Sequence, residues 1–452
     1  MTSSRFGTSL RGLGVPFQLL FVSGVLSDIG GFSTVTALQV HVARLTNGNP
    51  TYMGLIAIAT LVPMLLAAPI GGVWAEKYDR RMVMVTNDVV RIPIVLLMVT
   101  TESVGLLLLL HAANCASTAL FMPSRQSLIP DIVPNEHLLL ANSLLGGVIS
   151  VVHMLGPPLG VFLYQTLGGL WGVVLVEAVA YLLSALLLFR LPNPAQRVRM
   201  DQTTQMWEEV RAGFRYVIAE PDLRQIFVIL LTAGAAMGLL LPLLLPFVQQ
   251  VLHGTERDYA ALIFWFGFGG MVGPFVGHWL GRSLGLGKTL LLCSITESLL
   301  LTIWSRVDRL PVSTGLLVLW GIEVFALIPC YTSYLHTYAR KEFMGRTFAL
   351  FDQAVYVPQI LSAVIVVVWG NRLPTQALLT VAGVVYFSIL LLTLWSRGAR
   401  KLMASGSSAV PAYVVLAHDA GTDSPTPQKP KTEPDNGQPA SKTVSSAKTP
   451  DT

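Results

Sequence analysis

The chain has 452 residues, of which 53% are apolar and only 12% charged, against about a quarter charged in ordinary soluble proteins. That balance excludes a water-soluble globular protein. The net charge of +5 comes from Arg and Lys scattered singly through short loops, which excludes a basic nucleic-acid-binding face.

Arg5 and Arg11 precede an apolar run of about 25 residues, too long for the apolar core of a signal peptide, so it reads as a retained first span. Near-uncharged windows long enough to cross a bilayer as helices then recur. The first six lie near 16–41, 52–75, 82–101, 103–123, 138–164 and 168–190. Six more lie near 224–249, 259–281, 287–305, 311–334, 346–369 and 374–396. Membrane strands would be about half as long and alternate in polarity, so the fold class is an all-α membrane protein of twelve transmembrane helices in two six-helix halves. The expected domains are residues 1–190, a linker 191–223 and residues 224–403, with a Ser-, Thr- and Pro-rich tail 404–452 expected to be disordered. Within the linker, Trp207, Val210, Phe214 and Val217 recur at helical spacing among charges, as in an amphipathic surface helix.

Alternate loops carry twenty Lys and Arg on one side, Arg125 being assigned to the loop after the fourth span, and five on the other. This places both termini in the cytoplasm. A shift of 206 residues aligns Ala67, Gly71 and Ala75 with Gly273, Gly277 and Gly281, as expected of a six-plus-six repeat in a secondary transporter. Gly269, Gly273, Gly277 and Gly281 line one face of the eighth span, a pattern that favours close helix packing. Gly234, Gly238, Pro242 and Pro246 predict a bend in the seventh.

Ionisable residues inside spans are expensive and so are the chemical candidates. Asp28 near the middle of the first span and Glu323 in the tenth are candidates for proton coupling or substrate binding, with a structural hydrogen-bonding role as the alternative. Asp88 and Arg91 lie three apart on one face of the third span and can pair as a brace. Glu177, Glu297, Asp352 and His153 are weaker candidates. Cys115, Cys293 and Cys330 are isolated in apolar segments, so neither a disulfide framework nor a metal site is expected. Gly287-Lys288-Thr289 lacks the earlier glycine and the preceding strand of a phosphate-binding loop. No grouping for hydrolysis exists outside the spans, so an enzyme is not expected. No cofactor is expected either.

The turn between the second and third spans is densely charged: Gly71-Gly72-Val73-Trp74-Ala75-Glu76-Lys77-Tyr78-Asp79-Arg80-Arg81. Gly72, Glu76, Lys77, Arg80 and Arg81 satisfy a signature of glycine, three free positions, an acid, a base, two free positions and two bases. Here the chain resembles the major facilitator superfamily of transporters. Glu76 and Lys77 replace the usual Asp and Arg, and Asp79 stands where many members have Gly. The resemblance implies that the acid, here Glu76, caps the N-terminus of the eleventh span, a favourable place for an anion, in a cytoplasmic latch that breaks and reforms.

The chain also resembles the drug- and siderophore-exporting branch that includes macrolide and enterobactin efflux proteins. The resemblance rests on Ser27-Asp28, Asp88 with Arg91, Pro123-Ser124-Arg125-Gln126-Ser127, Ala141-Asn142-Ser143, Gly213-Phe214-Arg215-Tyr216 and Gly345-Arg346. Gly156, Pro157 and Gly160 resemble the core of the exporters' antiporter motif, with Val152 and Val161 at its missing flanking glycines; packing is the alternative reading. These resemblances imply a multi-pass plasma-membrane exporter of amphipathic small molecules that acts as a monomer and is driven by protons. An uptake symporter or a membrane scaffold that uses the tail are the rival expectations.

Overall fold

The computed structural model describes residues 13–134, 137–192 and 206–404. Among these residues the chain forms fourteen α-helices and no strand. They are α1 Gly14–Leu45, α2 Pro50–Lys77, α3 Arg80–Leu97, α4 Val104–Ile132, α5 Leu138–Thr166 and α6 Leu170–Phe189, then α7 Met206–Ala219. After these come α8 Pro221–Gln250, α9 Glu256–Leu284, α10 Leu286–Trp304, α11 Leu310–Tyr338, α12 Met344–Trp369, α13 Thr375–Leu394 and α14 Arg397–Ala404. Twelve of them are long and apolar enough to span a bilayer, α1–α6 and α8–α13. Residues 193–205, the side chains of Trp207 and Val210, and the tail from 405 lie outside the described residues.

Local chemistry sets the helix ends. Asn49 accepts a hydrogen bond from the Thr51 amide at 3.0 Å, with Pro50 at the first position of α2, where its missing N–H is harmless. Thr255 and Asp258 form a reciprocal capping box at the start of α9. Gly285, at φ +93°, alone separates α9 from α10.

Both bundles of six pack through small residues. In the second, α9 lies closely along α11 because Gly269, Gly273 and Gly277 leave no room for a Cβ against the carbonyls of Val318, Ile322 and Ala326. The repeat is visible here: Gly71 of α2 meets Ala119 and Leu120 of α4 as Gly277 of α9 meets Ala326 of α11. Gly234 and Gly238 of α8 press on Val355 and Gln359 of α12, and Pro242 and Pro246 are buried inside α8 without interrupting it. The linker helix α7 rests on the turn before α12: the Tyr216 hydroxyl accepts from the Arg340 amide at 3.0 Å, and Gly213 lies against Arg346.

One sequence expectation is corrected. Pro123–Pro130 does not form a loop; α4 continues through Pro123 and Pro130 to Ile132, and Arg125 is a buried helical residue, 3% exposed. The helices outrun their apolar windows, so a charge beyond a window can still be helical.

Candidate functional site

Asp28, fourteen residues into α1, meets Arg125 of α4, whose Nη1 donates to Oδ2 at 2.9 Å. The Arg125 side chain is 4% exposed and that of Asp28 20%, so the pair is anchored on the basic side and accessible on the acidic side. Gly24, one turn before Asp28, makes the space: a Cβ there would stand 2.8 Å from the guanidinium carbon. Beside them His153 of α5 meets Phe32 edge-on, with ring centres 4.3 Å apart.

Behind this pair is a largely buried network. Arg91 of α3 faces Asp88 at 3.8 Å and donates to Asn114 at 2.8 Å, Ser27 at 3.2 Å, Thr118 at 3.0 Å and the Tyr181 hydroxyl. Tyr181 in turn donates to Glu177 at 2.5 Å, and Ser184 to Asp88 at 2.6 Å. The expected Asp88–Arg91 brace is thus one edge of a lattice joining α1, α3, α4 and α6. The lattice includes Glu177, which the sequence marks only as a weaker candidate, since its partners lie on other helices. Burying such charges is tolerable only when their bonding capacity is nearly filled. Here one oxygen each of Asp88 and Glu177 has no hydrogen-bond partner.

Glu323 lies apart, in α11. It lines a groove of about 390 Å³ between α9, α10 and α11, together with Val276, Leu292, Thr296, Leu299 and Leu319. The structure does not bring it near Asp28. Its neighbour Glu297 of α10 is buried and accepts from Trp320 at 3.3 Å and Tyr386 at 2.9 Å.

The two bundles are joined by polar contacts at the end away from the chain termini. Arg44 of α1 forks onto Glu256 of α9, with both N···O distances 2.6 Å, and stacks over Tyr164, 4.9 Å from the ring centre. Arg257 donates to Gln165 at 2.7 Å, and Tyr259 to Gln39 at 2.6 Å. At the same end Gly54 of α2 lies against the backbone of Ala363 and Val367 in α12. A vestibule of about 1000 Å³ that includes Arg44, Tyr164, Trp171 and Glu256 opens outside this clamp.

At the opposite end the signature turn is engaged within its own bundle. Arg80 pairs with Asp131 and donates to the Ser127 carbonyl at 2.9 Å, and Arg81 donates to the Leu191 carbonyl at 2.8 Å. Glu76 and Lys77 are exposed, and a Cβ on Gly72 would meet nothing within 4 Å. Phe343, without a side-chain cap, occupies the N-cap of α12, so Glu76 does not cap it in this conformation. Asp79, the departure from the family pattern, caps α3 by accepting from the Arg81 and Met82 amides at 2.9 and 3.3 Å. The antiporter-like segment faces α1: Gly156 lies against Phe32 and Gly160 against the Ser33 backbone, and Ser33 donates to the Gly156 carbonyl at 3.1 Å.

Two six-helix bundles clamped at one end, with a paired acid partway down one wall, define a membrane transporter. The family model described as Major Facilitator Superfamily matches residues 20–363, and the chain belongs to that family. It is similar to "Multidrug efflux pump Tap" of Mycolicibacterium fortuitum, 24% identical over 362 residues covering 75% of this chain and 86% of that one. It is also similar to the staphyloferrin A transporter of Staphylococcus aureus, 24% identical over 57% of this chain and 66% of that one. A solved mutant of the peptide transporter POT in complex with sulfate shares the fold at TM-score 0.69 and 14% identity, covering 86% of this chain and 96% of its own.

Proposed function

We propose that the chain exports amphipathic small molecules from the cytoplasm across the plasma membrane, by alternating access driven by inward proton movement. The observation that carries this reading is the Asp28–Arg125 pair, held in the first bundle with its carboxylate accessible and its cation buried. Such an acid can exchange Arg125 for a proton or for a cationic substrate group, because each alternative satisfies the same charge. The excess of Lys and Arg at the end that carries the termini favours a cytoplasmic placement for both termini. On that orientation the Arg44–Glu256 clamp closes the outer end, and this conformation faces inward. Substrate enters from the cytoplasm, the bundles rock, and protonation of Asp28 accompanies return. Glu76, free here, engages α12 when the inner end closes, as a latch on the outward-facing state. Glu323 serves binding rather than the central exchange.

Residues 1–190 and 224–403 act as the two moving halves of a monomer, linked by 191–223, and the tail from 404 is dispensable. Similarity to an efflux pump supports export over uptake. The test is a panel of amphipathic substrates in cells and inverted vesicles, with and without a proton uncoupler. Uncoupler-sensitive efflux that Asp28→Asn abolishes at equal abundance is the expected result. Intact coupled efflux in Asp28→Asn removes Asp28 from the mechanism, and accumulation in place of efflux makes the chain an uptake symporter.

A further inference from the structure

A groove of about 650 Å³ opens beside the signature turn, between α2 and α3, with α4 as its floor. Its walls splay because α2 packs on α4 at Gly71, whereas α3 is tied to α4 and α6. Trp74 and Tyr78 of α2 and Met82 and Val90 of α3 form the rim, exposed by 40 to 49%. Apolar and aromatic side chains this exposed on spanning helices face lipid, so the groove opens to the bilayer. Inside this frame Asn87 of α3 is only 9% exposed, and its Nδ2 has no hydrogen-bond partner. Thr86 and, on the α4 floor, Ser117 also line the groove, and neither hydroxyl bonds another described residue. Among the described residues, the one charged side chain lining it is Asp79 at the mouth, which is taken up in capping α3. Depth decides what these groups can meet. The span Arg80–Thr100 has 21 residues, about 31 Å of helix, which matches a hydrocarbon core of about 30 Å. Asn87 therefore lies about 10 Å inside the nearer edge. Ser117 is deeper still, since its neighbour Thr118 is level with Arg91. Neither water nor a phospholipid ester reaches that level, so three donors face hydrocarbon unpaired.

We propose that this groove binds a neutral lipophilic carbonyl compound dissolved in the bilayer, such as a long-chain ketone or quinone. Its carbonyl oxygen accepts from Asn87 and Ser117, and its apolar body lies along Met82, Val90 and Leu120. The Asn87 amide is free to turn towards it, because Nδ2 has no partner to hold it. An array of donors without a base selects an acceptor that carries no charge, so a fatty-acid anion is excluded. A cation is excluded as well, because the acid at the mouth is already engaged. Depth excludes a phospholipid, whose oxygens remain at the edge of the hydrocarbon. The site lies on the lipid side of α3, with the Arg91 lattice on the other side of that helix. It is separate from the Asp28–Arg125 pair, and it stands whether or not the chain exports.

The experiment uses the full chain in lipid nanodiscs and needs no transport. The probe is a long-chain alkylbenzophenone, a neutral aryl ketone whose carbonyl both accepts a hydrogen bond and photocrosslinks. Saturable cross-linking within 82–90 and 117–120 is expected, competed by a long-chain dialkyl ketone and not by the alkane of the same length. Asn87→Leu, close in size but without a donor, should weaken apparent affinity about fivefold. In the ligand-free chain the same change should raise the melting temperature, because a buried amide without a partner is gone. Ser117→Ala should weaken labelling and Ser117→Thr should keep it. Equal labelling in Asn87→Leu and Ser117→Ala, labelling that does not saturate, or equal competition by the alkane overturns the proposal. Competition by added phosphatidylglycerol does so too, since it makes the occupant a phospholipid. A lower melting temperature in Asn87→Leu would mean that the fold already uses the amide, and the site would fall with it. Labelling lost in Asp28→Asn but not in Asn87→Leu places the ketone at the central pair instead.

Discussion

Replacing Glu256 by Gln removes the charge and one of the two acceptor oxygens of the Arg44 clamp without changing its size. In the clamp Arg44 presents two donors to two carboxylate oxygens at 2.6 Å, a fork in which both bonds are charge-assisted. The Arg44 side chain is 54% exposed and that of Glu256 13%, so water screens much of the attraction. The pair is accordingly set at about 1 kcal/mol, the upper end for such sites. Since it forms only when this end is closed, its loss should move the closed-to-open ratio by about fivefold. Distance measurements between spin labels at Asn47 and Gly254, turn residues beside the clamp, read that ratio directly, because the three native cysteines are buried. Glu256→Gln and Arg44→Gln should each enlarge the open population, and the charge-swapped double variant Arg44→Glu with Glu256→Arg should restore much of it. A shift below about twofold in both single variants would show that the Gly54 contact and the Gln39 and Gln165 bonds hold this end unaided.

Three further outcomes are expected. Gly160→Val pushes a side chain onto the Ser33 backbone and should destabilise the protein by about 1–3 kcal/mol in thermal melts, whereas Gly147→Ala, in open space on the same helix, should be neutral or slightly stabilising. Glu76→Gln should leave the melting temperature unchanged, since Glu76 is exposed here, yet slow efflux; equal efflux at equal abundance would remove the latch. At the end of the last bundle Lys401 Nζ donates to Asp222 at 2.8 Å and Glu220 at 3.2 Å. The Asp222 hydrogen bond, more than any other cause, raises the Lys401 pKa above its ordinary 10.5. The stabilisation is therefore complete below the ordinary lysine value and lost as pH rises through the higher folded value. Melting curves carried from about pH 9 to 12 should show this decline above the ordinary lysine value in the native chain and not in Lys401→Met; an identical decline in both would refute it.

The spans are legible because a bilayer demands long apolar helices and the sequence supplies them with few interruptions. Their ends are not, because a helix continues into water as readily as a loop does. Arg125 shows the consequence: hydropathy stops at Pro123, and the partner of Asp28 counts as a loop charge. That partner lies 97 residues from it in sequence, a separation no local pattern spans. Asp88 and Arg91 are readable as a pair because three residues bring side chains to one helical face. Arg91's bonds to Ser27, Asn114, Thr118 and Tyr181 depend on how α1, α4 and α6 are turned towards it, which the sequence of α3 does not state. For the same reason Glu323 can be found in the sequence but not aimed. Asp79 is visible there only as an oddity of the signature, whereas in the fold its side chain closes the first turn of α3.

The lattice around Arg91 also determines how force is transmitted. A single guanidinium on α3 grips α1, α4 and α6 through directional bonds, so shearing any of these helices against another breaks bonds in a medium that offers no replacements. The four helices around Arg91 therefore move as one stiff lever, whereas the seam between α9 and α11 rests on glycine contacts, bound by short-range dispersion that a small slide can redistribute. Compliance belongs to that seam. Strain from a bound substrate or from a thinner bilayer would be absorbed there, and the Asp28–Arg125 pair would ride through it with its geometry unchanged.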